Sequence, residues 1–233
     1  MIDEIKHAIK KFNPQCVDFA DETFTFPKDR ALKICEIMIK EGLSKKLKWT
    51  VQSRVTLVDQ ELFNKMKEAG CVRVDFGIES GNQQILKIIR KGITKIDASK
   101  AIDAAKKAGL KTGSYFIIGP PFETSKTIRD TIDFAAKLNT TTVSFGIMVP
   151  YPGTEVHEMA IREEGGYRLI SKRWQDYDKQ FGNALELDNL SRQEMEKWQR
   201  RAYFIFYFRN YRFFDLVKLA FLQRRLLWRM VLK

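Results

Sequence analysis

Carboxylates, cations and glycines recur in this sequence at the ends of short apolar runs. F-A-D-E-T-F-T-F, Phe19 to Phe26, sets Asp21 beside Glu22 after one such run. Two like charges at a strand end suit a cation or an ammonium group; their simpler use is to cap the following turn. In W-T-V-Q-S-R, Gln52 and Arg54 share one parity, so both point to the same side of a strand. An arginine there can grip a carboxylate bidentately, or pair with a neighbouring acid. A-G-C-V-R-V-D-F-G-I-E-S-G ends in Glu79 and Ser80, which can hydrogen-bond a sugar or an amino acid. Gly77 admits a close backbone approach, and Gly81 permits a turn with positive φ. In S-Y-F-I-I-G-P-P-F-E-T, Gly119 removes a side chain where a flat ring can lie. Its carbonyl and N–H are expected to be free to pair with the edge of that ring. Pro120 and Pro121 fix φ, and Glu123 is placed to accept backbone N–H groups at a helix start. V-P-Y-P-G-T-E, with Val149, Pro150 and Tyr151, closes the series. No glycine set forms a G-x-G-x-x-G or Walker A pattern, which argues against a phosphate cradle.

These residues need strands to carry them. Ile2 to Phe12 has helical spacing, and Asn13-Pro14 ends it. Predicted strands then cover Gln15 to Ala20, Leu47 to Gln52, Val72 to Ile78, Lys111 to Ile118 and Thr141 to Val149. Helices fall between them: Asp29 to Gly42, Asp59 to Ala69, Asn82 to Arg90, Ala98 to Lys107 and Thr124 to Leu138. This alternation implies a parallel sheet with right-handed crossovers, its apolar strands expected to be buried on both faces. An open doubly wound sheet concentrates its site at one switch point; a barrel gathers it from many strand ends. Here every strand end carries unusual residues, which favours the barrel. The expected fold is α/β: a partial (βα) TIM-like barrel of about five parallel strands over residues 1–160. A loop-rich linker and basic aromatic helical extension is expected over 161–233. In it, Ser191 and Glu194 form a capping box before two helices divided near Arg209-Asn210.

The chain has 233 residues, 44% hydrophobic and 30% charged, which is ordinary globular composition. No apolar run is long enough to span a bilayer, and the N-terminus lacks the apolar centre of a secretory signal. The expected compartment is the cytoplasm, with the membrane periphery as the variant. Cys16, Cys35 and Cys71 lie 19 and 36 residues apart, and the histidines are two, His7 and His157. Those spacings fit no zinc or iron–sulfur ligand set; three free thiols are expected. The net charge of +12 is uneven: residues 197–233 hold ten Lys or Arg against one acid, Asp215. Arginine interleaved with aromatics in that tail suits an anionic membrane surface and, less well, nucleic acid. The blander reading packs the aromatics across the open side of the barrel, with solvated arginines around them.

Taken in order, the motifs resemble the radical S-adenosylmethionine (SAM) superfamily, in the branch that often carries an upstream B12-binding domain. The resemblance covers roughly Ile2 to Ala160. It implies that Asp21 and Glu22 receive the methionine ammonium of SAM. Arg54, Glu79 and Ser80 lie near its carboxylate and ribose, and Ile117 and Gly119 on the adenine strand. Val149 to Tyr151, through Pro150, supply a last adenine contact, and Glu123 supports its loop. Phe122 stands where the family usually has glycine, which implies a tighter or differently shaped turn. The family also needs a C-x-x-x-C-x-x-C loop to hold a [4Fe-4S] cluster, and this sequence has none. The chain is therefore expected to lack the N-terminal, cluster-binding part and to bind no cluster itself. In the complete protein, SAM and the cluster would yield a 5′-deoxyadenosyl radical, or a methyl group would pass to substrate with cobalamin from a missing domain. A substrate, the missing N-terminal half and an electron donor are the implied partners. The alternative is a degenerate, non-catalytic barrel acting as an interaction or membrane-surface module.

Overall fold

The computed structural model describes residues 1–178 and 183–222, so residues 223–233 of the expected basic tail lie outside the described residues. The chain opens with α1 (Ile2–Phe12), β1 (Cys16–Phe19), α2 (Lys28–Lys40), β2 (Lys48–Ser53), α3 (Gln60–Glu68) and β3 (Cys71–Glu79). It continues with α4 (Gln83–Ile88), α5 (Lys95–Lys107), β4 (Lys111–Ile118), α6 (Ser125–Leu138) and β5 (Thr142–Ile147). Then come α7 (Glu155–Ile161), β6 (Tyr167–Leu169), β7 (Leu185–Leu187), α8 (Arg192–Arg209) and α9 (Phe213–Leu222).

The five parallel strands form one sheet in the order β1-β2-β3-β4-β5. A doubly wound sheet reverses its order at a switch point. The unbroken sequence order is instead that of a (βα) barrel, and five of its eight strands make a partial one. Local chemistry sets the helix boundaries. Asp59 accepts the Leu62 N–H at the start of α3, and Thr94 with Asp97 forms a capping box on α5. Thr124 and Thr127 do the same for α6, as do Ser191 and Glu194 for α8. Such caps contribute about 1 kcal/mol each.

The expectation of strands buried on both faces is met only in part: Val74 to Phe76 on β3 and Thr112 to Ser114 on β4 are buried in succession, but other positions are not. Along β2, Trp49, Val51 and Ser53 are buried while Lys48 and Gln52 are exposed. On β3, Val74, Phe76 and Ile78 are fully buried, and Arg73, Gly77 and Glu79 are only partly covered. Alternation places one set of residues under the helices. The other set is mixed and polar, so the period-2 pattern was present beneath the apolar average.

By contact density the chain divides into two compact units. The first comprises Met1–Glu79, Lys91–Tyr115 and Thr140–Val143. Its core centres on Trp49, whose ring lies 5.4 Å from Phe19 and 5.2 Å from Phe24, and whose Nε1 donates to the Ala69 carbonyl at 2.8 Å. Complete burial of such a ring contributes about 3 kcal/mol. The second unit comprises Ser80–Arg90, Phe116–Asn139 and Ser144–Lys233. There Phe145 stacks on Phe116 at 5.5 Å and meets Tyr203 of α8 edge-on at 5.3 Å. The stretch read as loop also holds the antiparallel pair β6–β7, whose three-residue strands are too short to leave a pattern.

Candidate functional site

In the first unit the charges past β1, β2 and β3 meet different fates. Asp21 is half-buried and takes the Arg30 guanidinium at 3.2 Å, while Glu22 is exposed. Arg54 is exposed, and its Nη2 donates to the Lys91 carbonyl at 3.3 Å. Glu79 is the most constrained. Its φ is +72°, in the left-handed region that a side chain makes costly. Its carboxylate doubles back over Gly77: a Cβ on Gly77 would lie 2.6 Å from Glu79 Oε1. Gly77 thus makes room for that carboxylate rather than for another backbone. Lys91 Nζ holds the same oxygen at 2.9 Å. Strain of this kind costs about 1–3 kcal/mol and persists only when its surroundings over-determine it. Lys91 was not singled out from the sequence; the signal was R-K-G between two helices, where Arg90 and Gly92 both turn with positive φ.

Deeper on the same face of β3 lies a second polar group. The Asp75 carboxylate is buried, takes the Tyr115 hydroxyl at 2.8 Å and lies 3.1 Å from Arg73 Nε. Burial raises the Asp75 pKa, and burial together with the Asp75 charge raises that of Tyr115. Thr50 donates to Asp18 on the neighbouring strands. Asp75 and Tyr115 also went unnoticed, since each sits mid-strand among apolar residues.

In the second unit several expected contact residues are enclosed. Ser80 is fully buried; its Oγ lies 3.1 Å from Thr131 Oγ1 and accepts the Asn82 N–H at 3.1 Å. Gly81 approaches α6 so closely that a Cβ would lie 2.7 Å from the Asp130 carbonyl. Ser80 therefore locks the turn after β3 and does not present its hydroxyl outward.

Gly119 has φ +91°, and a Cβ there would lie 2.8 Å from Met195 Sδ. Its backbone is not free for a ring edge, contrary to expectation. The Gly119 N–H donates to Glu123 Oε2 at 2.5 Å, and its carbonyl accepts the Tyr167 hydroxyl at 3.0 Å. Glu123 is fully buried, and burial pushes its pKa up to about 8 against the pull of the Gly119 N–H. Its other oxygen, Oε1, has no hydrogen-bond partner among the described residues. Phe122, in the family's glycine position, keeps φ +62° with its ring 60% exposed. The turn thus holds the backbone glycine would favour, and the phenylalanine bears the strain. Ile117 is half-buried. Val149 is buried beside Tyr177 and Ala184, with Tyr151 packed against them. The Pro150 carbonyl lies 3.0 Å from His157 Nδ1.

The sequence-derived residues thus fall into two groups. Glu22, Arg54, Glu79, Ile117 and Tyr151 retain accessible surface, so each can touch a ligand. Asp21 also keeps accessible surface and is paired with Arg30, as Glu79 is with Lys91; Ser80, Gly119, Glu123, Val149 and Pro150 are buried.

The cysteines do not fit an iron–sulfur cluster. Cys16 is exposed, whereas Cys35 and Cys71 are buried, with thiol pKa values pushed by burial up to about 12. Cluster ligands are thiolates. Among the described residues no group of three or more His, Cys, Asp or Glu is arranged to hold a metal.

Residues 1–135 match the radical SAM superfamily model, and the chain belongs to that superfamily. It is 37% identical over 209 residues to an uncharacterized methyltransferase of Pyrococcus horikoshii, covering 90% of this chain and 44% of that protein. It is 29% identical over 160 residues to the anaerobic magnesium-protoporphyrin IX monomethyl ester cyclase of Cereibacter sphaeroides, covering 68% of this chain and 26% of that one. The chain thus spans less than half the length of these relatives. Among solved structures it resembles the radical SAM methyltransferase TsrM of Kitasatospora setae, solved with cobalamin and a [4Fe-4S] cluster. The TM-score is 0.65 at 19% identity, over 84% of this chain and 40% of that one.

Proposed function

We propose that this chain is the SAM-binding core of a larger methyl-transferring radical SAM enzyme. The observation that carries the reading is the tip of β3. In a chain of this superfamily, Glu79 is held in a strained left-handed conformation by Lys91, with the exposed Arg54 bonded to the Lys91 backbone. Arg54 offers bidentate donors to the SAM carboxylate. Glu79 offers acceptors to the ribose hydroxyls or ammonium, and Glu22 a second carboxylate to the ammonium. When bound, SAM supplies a 5′-deoxyadenosyl radical or a methyl group. No cluster-dependent step is assigned to these residues, because the described cysteines do not fit a cluster. The cluster, and cobalamin as in the TsrM structure, belong on this reading to the rest of the enzyme, as does the electron donor. Methyl transfer is favoured by the names of the Pyrococcus relative and the Kitasatospora neighbour.

The test is calorimetric titration of the chain with SAM. One saturable site is expected, weakened about tenfold or more in Arg54→Ala, the loss of one charge-assisted bidentate contact. Lys91→Met, which releases Glu79, is expected to weaken it as well. No measurable heat with a folded chain would remove the reading and leave the non-catalytic module.

A further inference from the structure

The outward side of the last two helices is left unexplained by SAM binding. Helix α8 turns one stripe inward. Gln199 Nε2 donates to the Phe145 carbonyl at 2.7 Å, the Tyr203 hydroxyl accepts the Phe145 N–H at 3.1 Å, and Ala202 and Phe206 are fully buried. The opposite stripe is also aromatic. Phe204 and Phe208 are 53% and 52% exposed, with rings stacked 5.5 Å apart. Phe208 meets Phe213 edge-on at 5.5 Å, and Phe214 on α9 is 92% exposed. The helix thus divides its aromatic rings between a packed stripe and an exposed one. Phe204, Phe208 and Phe213 form a contiguous patch with no polar side-chain atom, and Phe214 is exposed next in sequence; monomer surfaces avoid such patches unless they meet a partner.

The charge beside the patch is one-sided. The Arg129 and Arg201 guanidiniums lie 5.6 and 5.3 Å from the centre of the Trp198 ring, in a groove of about 440 Å³ between α6 and α8. Neither forms an ion pair among the described residues, whereas the nearby acids are engaged: Asp133 by Arg209 and Asp215 by Arg212. The sequence continues in kind, with Arg224, Arg225, Leu226, Leu227, Trp228 and Arg229. Residues 197–233 carry a net charge of +9. No helix among the described residues is long and apolar enough to cross a membrane.

We infer that the outer face of α8 and α9 docks on the surface of an anionic lipid bilayer. The phenylalanines enter the acyl boundary, and Arg129, Arg201 and Lys218 meet the acidic headgroups. Hydrocarbon rings grouped together, rather than spaced singly between polar groups, favour a bilayer over a nucleic-acid strand, on which each base needs its own stacking partner.

The experiment is vesicle flotation of the full chain on phosphatidylcholine alone and on phosphatidylcholine mixed with phosphatidylglycerol. Binding is expected to be roughly hundredfold tighter on the mixed vesicles and to weaken with added salt. Phe204→Ser combined with Phe208→Ser is expected to reduce binding at least about tenfold. Arg129→Gln combined with Arg201→Gln is expected to reduce the preference for the anionic vesicles. All four side chains are exposed, and circular dichroism of each variant is the control for folding. Equal binding to both vesicle types would overturn the inference, as would flotation unaffected by the phenylalanine changes. Self-association abolished by those changes without vesicle binding would show a second copy instead. Retention of RNA but not vesicles would show nucleic acid.

Discussion

Glu123 offers a test of the turn that ends β4. Its carboxyl is fully buried, bonded through Oε2 to the Gly119 N–H, and its pKa rises from 4.5 to about 8. The folded chain therefore holds a proton that the unfolded chain releases near pH 4.5. The group is stability-neutral below that pH; stability is lost as pH rises from about 4.5 to about 8 and then levels off. A shift of this size corresponds to about 5 kcal/mol in all, at about 1.4 kcal/mol per pH unit in mid-window. Glu123→Gln cannot titrate. Its amide nitrogen would occupy the place of an oxygen that has no partner, leaving donors buried at a cost of about 1–3 kcal/mol. The variant is thus less stable than the parent at low pH and more stable at high pH, with curves crossing between about pH 5 and 7. Urea unfolding followed by tryptophan fluorescence across this range measures the difference. A gap between parent and variant that stays constant from pH 5 to pH 8.5 would refute the assignment of a buried, proton-holding Glu123.

Other perturbations probe neighbouring parts of the account. Phe122→Gly relieves a φ of +62° at a ring that is 60% exposed, and is expected to stabilise the chain by about 1 kcal/mol in the same unfolding assay. Gly119→Ala forces a Cβ to 2.8 Å from Met195 Sδ at φ +91° and should cost about 2 kcal/mol or more; restoration by shortening Met195 to alanine would separate the clash from the strain. Burial holds the Cys35 and Cys71 thiols near pKa 12, so alkylation near pH 8 is expected to label Cys16 alone, read as one adduct by mass spectrometry.

The fold was legible because its signals are local and repeated. Gly70 and Gly109, at φ +98° and +73°, stand just past the predicted helix ends at Ala69 and Lys107, and β4 has the predicted bounds. The strand-end residues were also legible as types. Their availability was not, because burial depends on partners distant in sequence. Ser80 is closed by Thr131, 51 residues away, and Gly119 by Tyr167 and Met195, 48 and 76 residues away. Lys91 was passed over for a related reason: its importance lies in Glu79, whose left-handed turn no residue pattern announces. The polar row of Asp75, Arg73 and Tyr115 was hidden by averaging over strands whose other residues are apolar.

The central claim is that the ends of β2 and β3 receive SAM. Amide hydrogen exchange on the chain with and without saturating SAM tests it most directly. The account predicts slowed exchange confined to the segments around Arg54, around Glu79 and around Lys91. Exchange unchanged in all three, or slowed only on α8, would contradict it.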